Sequence, residues 1–131
     1  MSGPLIMISR SRVKPGRRET YQAHLRQATE MVESEEPRVI AFNSWTSEDG
    51  TEVSTVHFPP AADSLDPHLK LYVERLAGPV AEAVDSYELD IWGAASESAL
   101  NALRSMPGLR VRVLPVHEAG FIRLGEGAVV A

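Results

Sequence analysis

Two runs of alternating apolar and polar residues, 39 to 46 and 51 to 58, stand either side of Ser47-Glu48-Asp49-Gly50. A period of two marks half-buried strands, and a short polar segment ending in glycine lets the chain reverse between them. A helical stripe flanks this hairpin on each side. From 17 to 35, Tyr21, Leu25, Ala28 and Val32 recur at three- and four-residue spacing, with Gln22, Arg26, Glu30 and Glu33 outside the stripe. After the hairpin, Pro59-Pro60 ends the second run. Asp66-Pro67 then starts a helix, an acceptor at the cap followed by proline where no N–H is required. Leu65, Leu69, Tyr72, Val73 and Leu76 form its buried stripe until Gly78-Pro79 breaks it, and 80 to 84 adds a further turn.

Outer strands complete the pattern. Residues 5 to 13 are apolar and then alternate through Ser9, Arg10, Ser11 and Arg12, until Lys14-Pro15-Gly16 stops them. Residues 87 to 93 alternate Leu89 and Ile91 against Glu88, Asp90 and Trp92. The order is βαββαβ, the split arrangement of a ferredoxin-like α+β fold. Beyond it Ser96 caps a short helix bearing Leu100, Leu103 and Met106, a strand follows over 109 to 116, and a glycine-containing tail runs from Glu118 to Arg123. A chain of 131 residues suits a single domain over 1–131, with a core at 4–93 and a C-terminal helix–strand extension at 94–131.

The hairpin register decides which side chains share a face. A three-residue loop, Glu48-Asp49-Gly50, groups Ile40, Phe42, Val56 and Phe58 on one face and Asn43, Trp45, Val53, Thr55 and His57 on the other. A two-residue loop would bring Phe42 and His57 together and mix polar with apolar groups on both faces. The first register is preferred because it separates a helix-packing face from a mixed aromatic and polar one. One local feature has no reason in the sequence: Glu35-Glu36 close the first helix ahead of Pro37, where the dipole disfavours acids.

Composition narrows the function. Charged residues make up 24% and the net charge is −5, with no basic block of the kind that grips phosphates, so nucleic-acid binding is not expected. There is no cysteine, which removes disulfides, thiolate metal sites and cysteine nucleophiles and fits a reducing compartment. No secretory leader or membrane-length apolar run is present, and the expected location is the cytoplasm. P-loop, GxGxxG and GxSxG motifs are absent.

Of the four histidines, His57 lies on a strand and His68 in the first turn of the next helix. They are the candidate acid–base groups, since neutral imidazole is the natural base near neutral pH. Asn43 could hold a carbonyl or hydroxyl, Trp45, Tyr72 and Trp92 could form flat apolar walls, and Arg10 could clamp an anion. Each residue has a plainer reading in packing, in an interface or on a solvated surface; His24, at the edge of its stripe, reads as a boundary side chain. Histidines eleven apart with no defined carboxylate partner make no metal motif, and neither metal nor cofactor is expected. A four-stranded sheet with helices on one side leaves Asn43, Trp45, His57 and Trp92 on a bare face, and a second copy packing there predicts a homodimer.

The chain resembles the dimeric α/β-barrel superfamily, and within it the antibiotic-biosynthesis-monooxygenase-like domains. The resemblance rests on Ile6-Met7-Ile8-Ser9 through Val13-Lys14-Pro15-Gly16, the Glu36-Pro37 helix exit, Glu48-Asp49-Gly50, Ser64-Leu65-Asp66-Pro67-His68-Leu69 and Ile91-Trp92-Gly93. It covers roughly residues 4 to 93. It implies a small-molecule-binding monooxygenase-like protein, with cofactor-independent oxidation of an aromatic or polyketide-like substrate by a histidine base as the specific form. The alternative is a non-catalytic dimeric module that binds a ligand or a partner. The haem-degrading branch pairs an Asn on the first strand and a Trp on the third with a His on the second helix. Here only His68 matches, because Ser9 and Ser11, and His57 and Phe58, stand at the other places. An interior cavity reached by His57 or His68 favours the enzyme, whereas a filled interior favours the module.

Overall fold

The computed structural model describes residues 4–58, 65–121 and 123. The expected strand end at Pro59-Pro60, Ser64 and the tail residue Ile122 lie outside the described residues. The element order is β1 (Ile6–Val13), α1 (Arg18–Glu35), β2 (Ala41–Thr46), β3 (Glu52–Phe58), α2 (Leu65–Arg75), α3 (Ala77–Ala83), β4 (Val84–Trp92), α4 (Glu97–Arg104) and β5 (Leu109–Leu114). The strands form one sheet in the order β2-β3-β1-β4-β5. All its pairings are antiparallel except that of β5, which runs parallel to β4. The first four strands therefore have the ferredoxin-like arrangement, and the C-terminal strand extends that sheet at its edge.

The helices cover one face. Met7, Leu89 and Ile91 from the sheet pack with Leu65 and Leu69 of α2 and with Ala99 and Leu103 of α4. Val13, Val53 and Val84 pack with Tyr21 of α1 and Val80 of α3. Ser96 caps α4 by accepting a hydrogen bond from the Ala99 N–H, as its position before an apolar stripe predicts. The boundary between α2 and α3 falls at Leu76. Pro79 lacks the N–H that would reach the carbonyl four residues back, so the helix is interrupted there.

The hairpin differs from its expected register. Thr46 faces Val53, Trp45 faces Ser54 and Phe42 faces His57. Ser47 N–H donates to the Glu52 carbonyl at 2.9 Å, leaving 48–51 as a four-residue loop whose pairing has the same parity as a two-residue turn. Two devices fix it. Gly50 sits at φ 74°, a left-handed conformation that costs glycine little. The Asp49 carboxylate accepts hydrogen bonds from the Ser47 hydroxyl, the Thr51 N–H and the Thr51 hydroxyl. Phe42 and His57 consequently point to the helices, while Asn43 and Trp45 share the opposite face with Val56 and Phe58.

That opposite face is open in the monomer. Trp45 is 60% exposed, Leu114 53% and Trp92 36%. At its centre Asp90 is buried beneath two guanidinium groups, accepting from Arg10 at 3.2 Å and from Arg112 at 3.3 Å.

Candidate functional site

Between the helices and the covered sheet face lies a cavity of about 300 Å³, lined mainly by apolar side chains. It sits at the small end of the range for ligand sites, with room for a compact ring system. Two groups stand out in its polar lining, which also includes His24, Thr55, Asp85 and Ser86. One is the histidine pair His57 and His68; the other is Tyr21, Tyr72 and Tyr87 with Ser9.

The histidines arrive from different elements. The hairpin register turns His57 of β3 inward, and the first turn of α2 brings His68 over it, with ring centroids 4.0 Å apart and planes inclined by 32°. Phe42, opposite His57, packs edge-on against it at 5.7 Å. Both imidazoles are buried, but their partners differ. His68 Nδ1 lies 2.8 Å from Glu36 Oε2, and a carboxylate only accepts, so Nδ1 is the donor, and the neutral tautomer of this ring has its lone pair on Nε2. Among the described residues neither nitrogen of His57 has a hydrogen-bond partner. Burial, and then the neighbouring His68, hold the His57 pKa down at about 2, so this ring stays neutral.

Glu36 is the residue that sequence reasoning missed. It follows α1 directly, its N–H capping the helix on the Val32 carbonyl, and it is only 8% exposed. The signal was the unexplained acidic pair at a helix C-terminus. A carboxylate there opposes the macrodipole by about 0.3–1 kcal/mol, and the structure shows what outweighs it. Glu35 binds Arg75 of α2 with both oxygens, and Glu36 binds His68 of the same helix. The acidic ending joins α1 to α2.

The tyrosines are neutral hydrogen-bonding groups. Burial pushes Tyr72 up to about 12, a hydrogen bond with Tyr87 offsetting part of the rise, and it drives Tyr87 well above its ordinary value. Tyr21 is raised by burial against a weaker opposing bond to Ser11. His24, expected at a boundary, is buried on the cavity wall, and burial lowers its pKa.

Of the residues singled out in the sequence, His57, His68 and Tyr72 meet at this cavity. Asn43, Trp45, Trp92 and Arg10 do not. Asn43 and Trp45 leave it because the hairpin pairs one residue out of the expected register. Trp92 and Arg10 point away because they alternate with the inward Ile91 and with Ser9 and Ser11, and Arg10 is held by Asp90 and Glu88. His57 correspondingly leaves the bare face on which the sequence placed it.

No family profile and no curated protein sequence matches the chain. Solved structures do match it. A structure described as an antibiotic biosynthesis monooxygenase is 17% identical over 70% of this chain and 99% of its own, with a TM-score of 0.60. Rv0793 from Mycobacterium tuberculosis is 20% identical over 73% of this chain and 99% of its own, with a TM-score of 0.57. MupZ from Pseudomonas fluorescens is 19% identical over 98% of this chain and 99% of its own, with a TM-score of 0.64, so its likeness reaches the C-terminal extension as well. At these identities the likeness is one of fold. The described residues contain no helix long and apolar enough to cross a membrane.

Proposed function

We propose that this chain, which has the fold of the antibiotic-biosynthesis-monooxygenase-like structures of the dimeric α/β-barrel superfamily, binds a small aromatic or polyketide-like molecule between its sheet and its helices and removes a proton from it with His68. The observation that carries this reading is the buried Glu36–His68 pair at the wall of a largely apolar cavity. With Nδ1–H committed to the carboxylate, Nε2 is the atom that takes the substrate proton. The imidazolium so formed is compensated by Glu36 in surroundings where water screens little. His57, held neutral, offers one N–H and one lone pair to a substrate oxygen. The neutral tyrosines donate to an oxyanion as it develops.

The specific form of the reaction is cofactor-independent oxidation. His68 takes a proton from a phenol or from a CH₂ beside a carbonyl, and the electron pair stays on the substrate. Such an anion can reduce dioxygen itself. In R₂CH₂ + O₂ → R₂C=O + H₂O the substrate carbon gives up four electrons, one oxygen atom becomes the new carbonyl and the other leaves as water. A packed interior would have favoured a non-catalytic module; the cavity reached by both histidines favours the enzyme. We take the assembly to be a homodimer that covers Trp45, Trp92 and Leu114 on the bare sheet face; light scattering that finds a monomer at working concentration removes that part.

The test is a thermal-shift screen of EDTA-treated protein against phenols and quinols, because a ligand of the native state raises the melting temperature by mass action. A ligand at 100 times its Kd stabilises by about 2.7 kcal/mol. A hit that consumes oxygen with equimolar carbonyl product supports the reading. The absence of any shift across these compounds removes it and leaves the partner-binding module.

A further inference from the structure

Glu36, His57 and His68 are all buried, and one donor atom from each lies within 4.8 Å of the other two; among the described residues this is the group that meets metal-binding geometry. We propose that these three side chains form a site for a late first-row divalent cation of the zinc type, which takes the place of the proton shared by Glu36 and His68. Residue spacing alone predicts no such site, because it offers the histidines no defined carboxylate partner. The fold supplies it from the end of α1.

Three observations support the assignment. Two imidazoles and one carboxylate are a donor set that suits zinc and its neighbours, and excludes the harder magnesium and calcium ions, which take oxygen donors. Two donors bound at about 2.1 Å stand roughly 3.0–3.4 Å apart at the angles of a tetrahedral or octahedral metal, and Glu36 Oε2 and His68 Nδ1 are already 2.8 Å apart. Independently of that pair, both nitrogens of His57 are buried without a hydrogen-bond partner among the described residues. Buried polar groups are nearly always satisfied, and an orphan imidazole stacked on a carboxylate-bound one calls for an unseen ligand. Three protein donors leave further positions free, and the cavity lined by both histidines adjoins them.

The consequence for activity rests on the base role proposed above; the binding does not. A cation on His68 Nδ1 requires the tautomer in which the neutral ring's one proton sits on Nε2, so the ring cannot accept one from a substrate. Zinc therefore inhibits, and a chelator restores activity.

Metal-stripped protein is titrated with Co²⁺, whose visible absorption reports a site of low coordination number, and Zn²⁺ is then added as competitor. One Co²⁺ per chain, displaced by Zn²⁺, is expected. Affinity should fall more than about 100-fold in His57→Phe, His68→Phe and Glu36→Gln, beyond the 10–100-fold typical of losing an outer-shell partner. His117→Ala, which removes an exposed surface histidine, should bind like the unaltered protein. Glu36→Gln preserves volume, and melting curves establish that each variant is folded. No inner-sphere Co²⁺ spectrum at stoichiometric protein, or a spectrum unchanged in folded His57→Phe, overturns the proposal. Ligand binding in EDTA is measured separately, so failure of the metal site and failure of the base reading are told apart.

Discussion

Glu36, the residue immediately after α1, holds Nδ1 of His68 in the first turn of α2 at 2.8 Å, and both side chains are almost wholly buried. Removing the acceptor leaves a buried N–H without a partner. Glu36→Ala should therefore destabilise the fold by about 1–3 kcal/mol in urea unfolding, whereas Glu36→Gln, which keeps an acceptor oxygen, should lose less. Equal losses in the two variants would show that the carboxylate makes no specific bond there.

His57 makes stability depend on pH. An unfolded chain protonates this ring near about 6.5, and the folded chain only near about 2. The unfolded state thus binds more protons across that window, so stability is complete above its upper end and falls as the pH drops through it. His24, lowered by burial, adds to the same trend. Urea midpoints of metal-free protein should be lower at pH 5 than at pH 7.5, and His57→Phe should flatten the difference. An identical pH slope in that variant would contradict the neutral, buried state of His57.

The hairpin turn controls the site from a distance. Gly50 has positive φ, and a Cβ there would run into the Arg18 side chain. Gly50→Ala should cost about 1 kcal/mol or more from backbone strain alone. Asp49→Ala removes three hydrogen bonds that set the loop length. If the turn fixes the register, both variants should weaken ligand binding at His57, some residues away, and amide exchange should quicken along β2 and β3 before the helices. Ligand affinity unchanged in both would mean that packing alone sets the register.

Ala28 of α1 is buried and faces the cavity. Ala28→Phe places a ring in that space. Filling a void costs little where room exists, so the melting temperature should stay near that of the unaltered protein while thermal shifts with small phenols disappear. Retained shifts would place ligand binding elsewhere.

The fold was legible because its signals are local. Period-two runs, a helical stripe on each side of the hairpin, Asp66-Pro67 and Ser96 each act within a few residues, and they lead to the observed element order and to the capped α4. The site was legible only in part. His57, His68 and Tyr72 were singled out by residue chemistry and all line the cavity, although the expected register put His57 on the bare face. Asn43 and Trp45 were misplaced because the register was chosen to keep polar groups away from the helices. The interior of this protein holds a largely apolar cavity with a few polar groups in its wall, so Ser9, Thr55 and His57 point inward, and the rule of apolar in and polar out fails where a site is built. Glu36 escaped because its partner lies 32 residues on. Only tertiary packing makes an acid at a helix C-terminus favourable.

The central claim is that His68, oriented by Glu36, takes a proton from a molecule in the cavity. Its most direct test is the absorption spectrum of a hydroxynaphthalene bound to metal-free protein, compared with its spectrum in folded His68→Phe. The claim predicts the red-shifted band of the naphtholate in the unaltered protein at a pH where the free compound is neutral, and the neutral band when the same compound is bound to the variant. The anionic band in both proteins, or the neutral band in both, would contradict it.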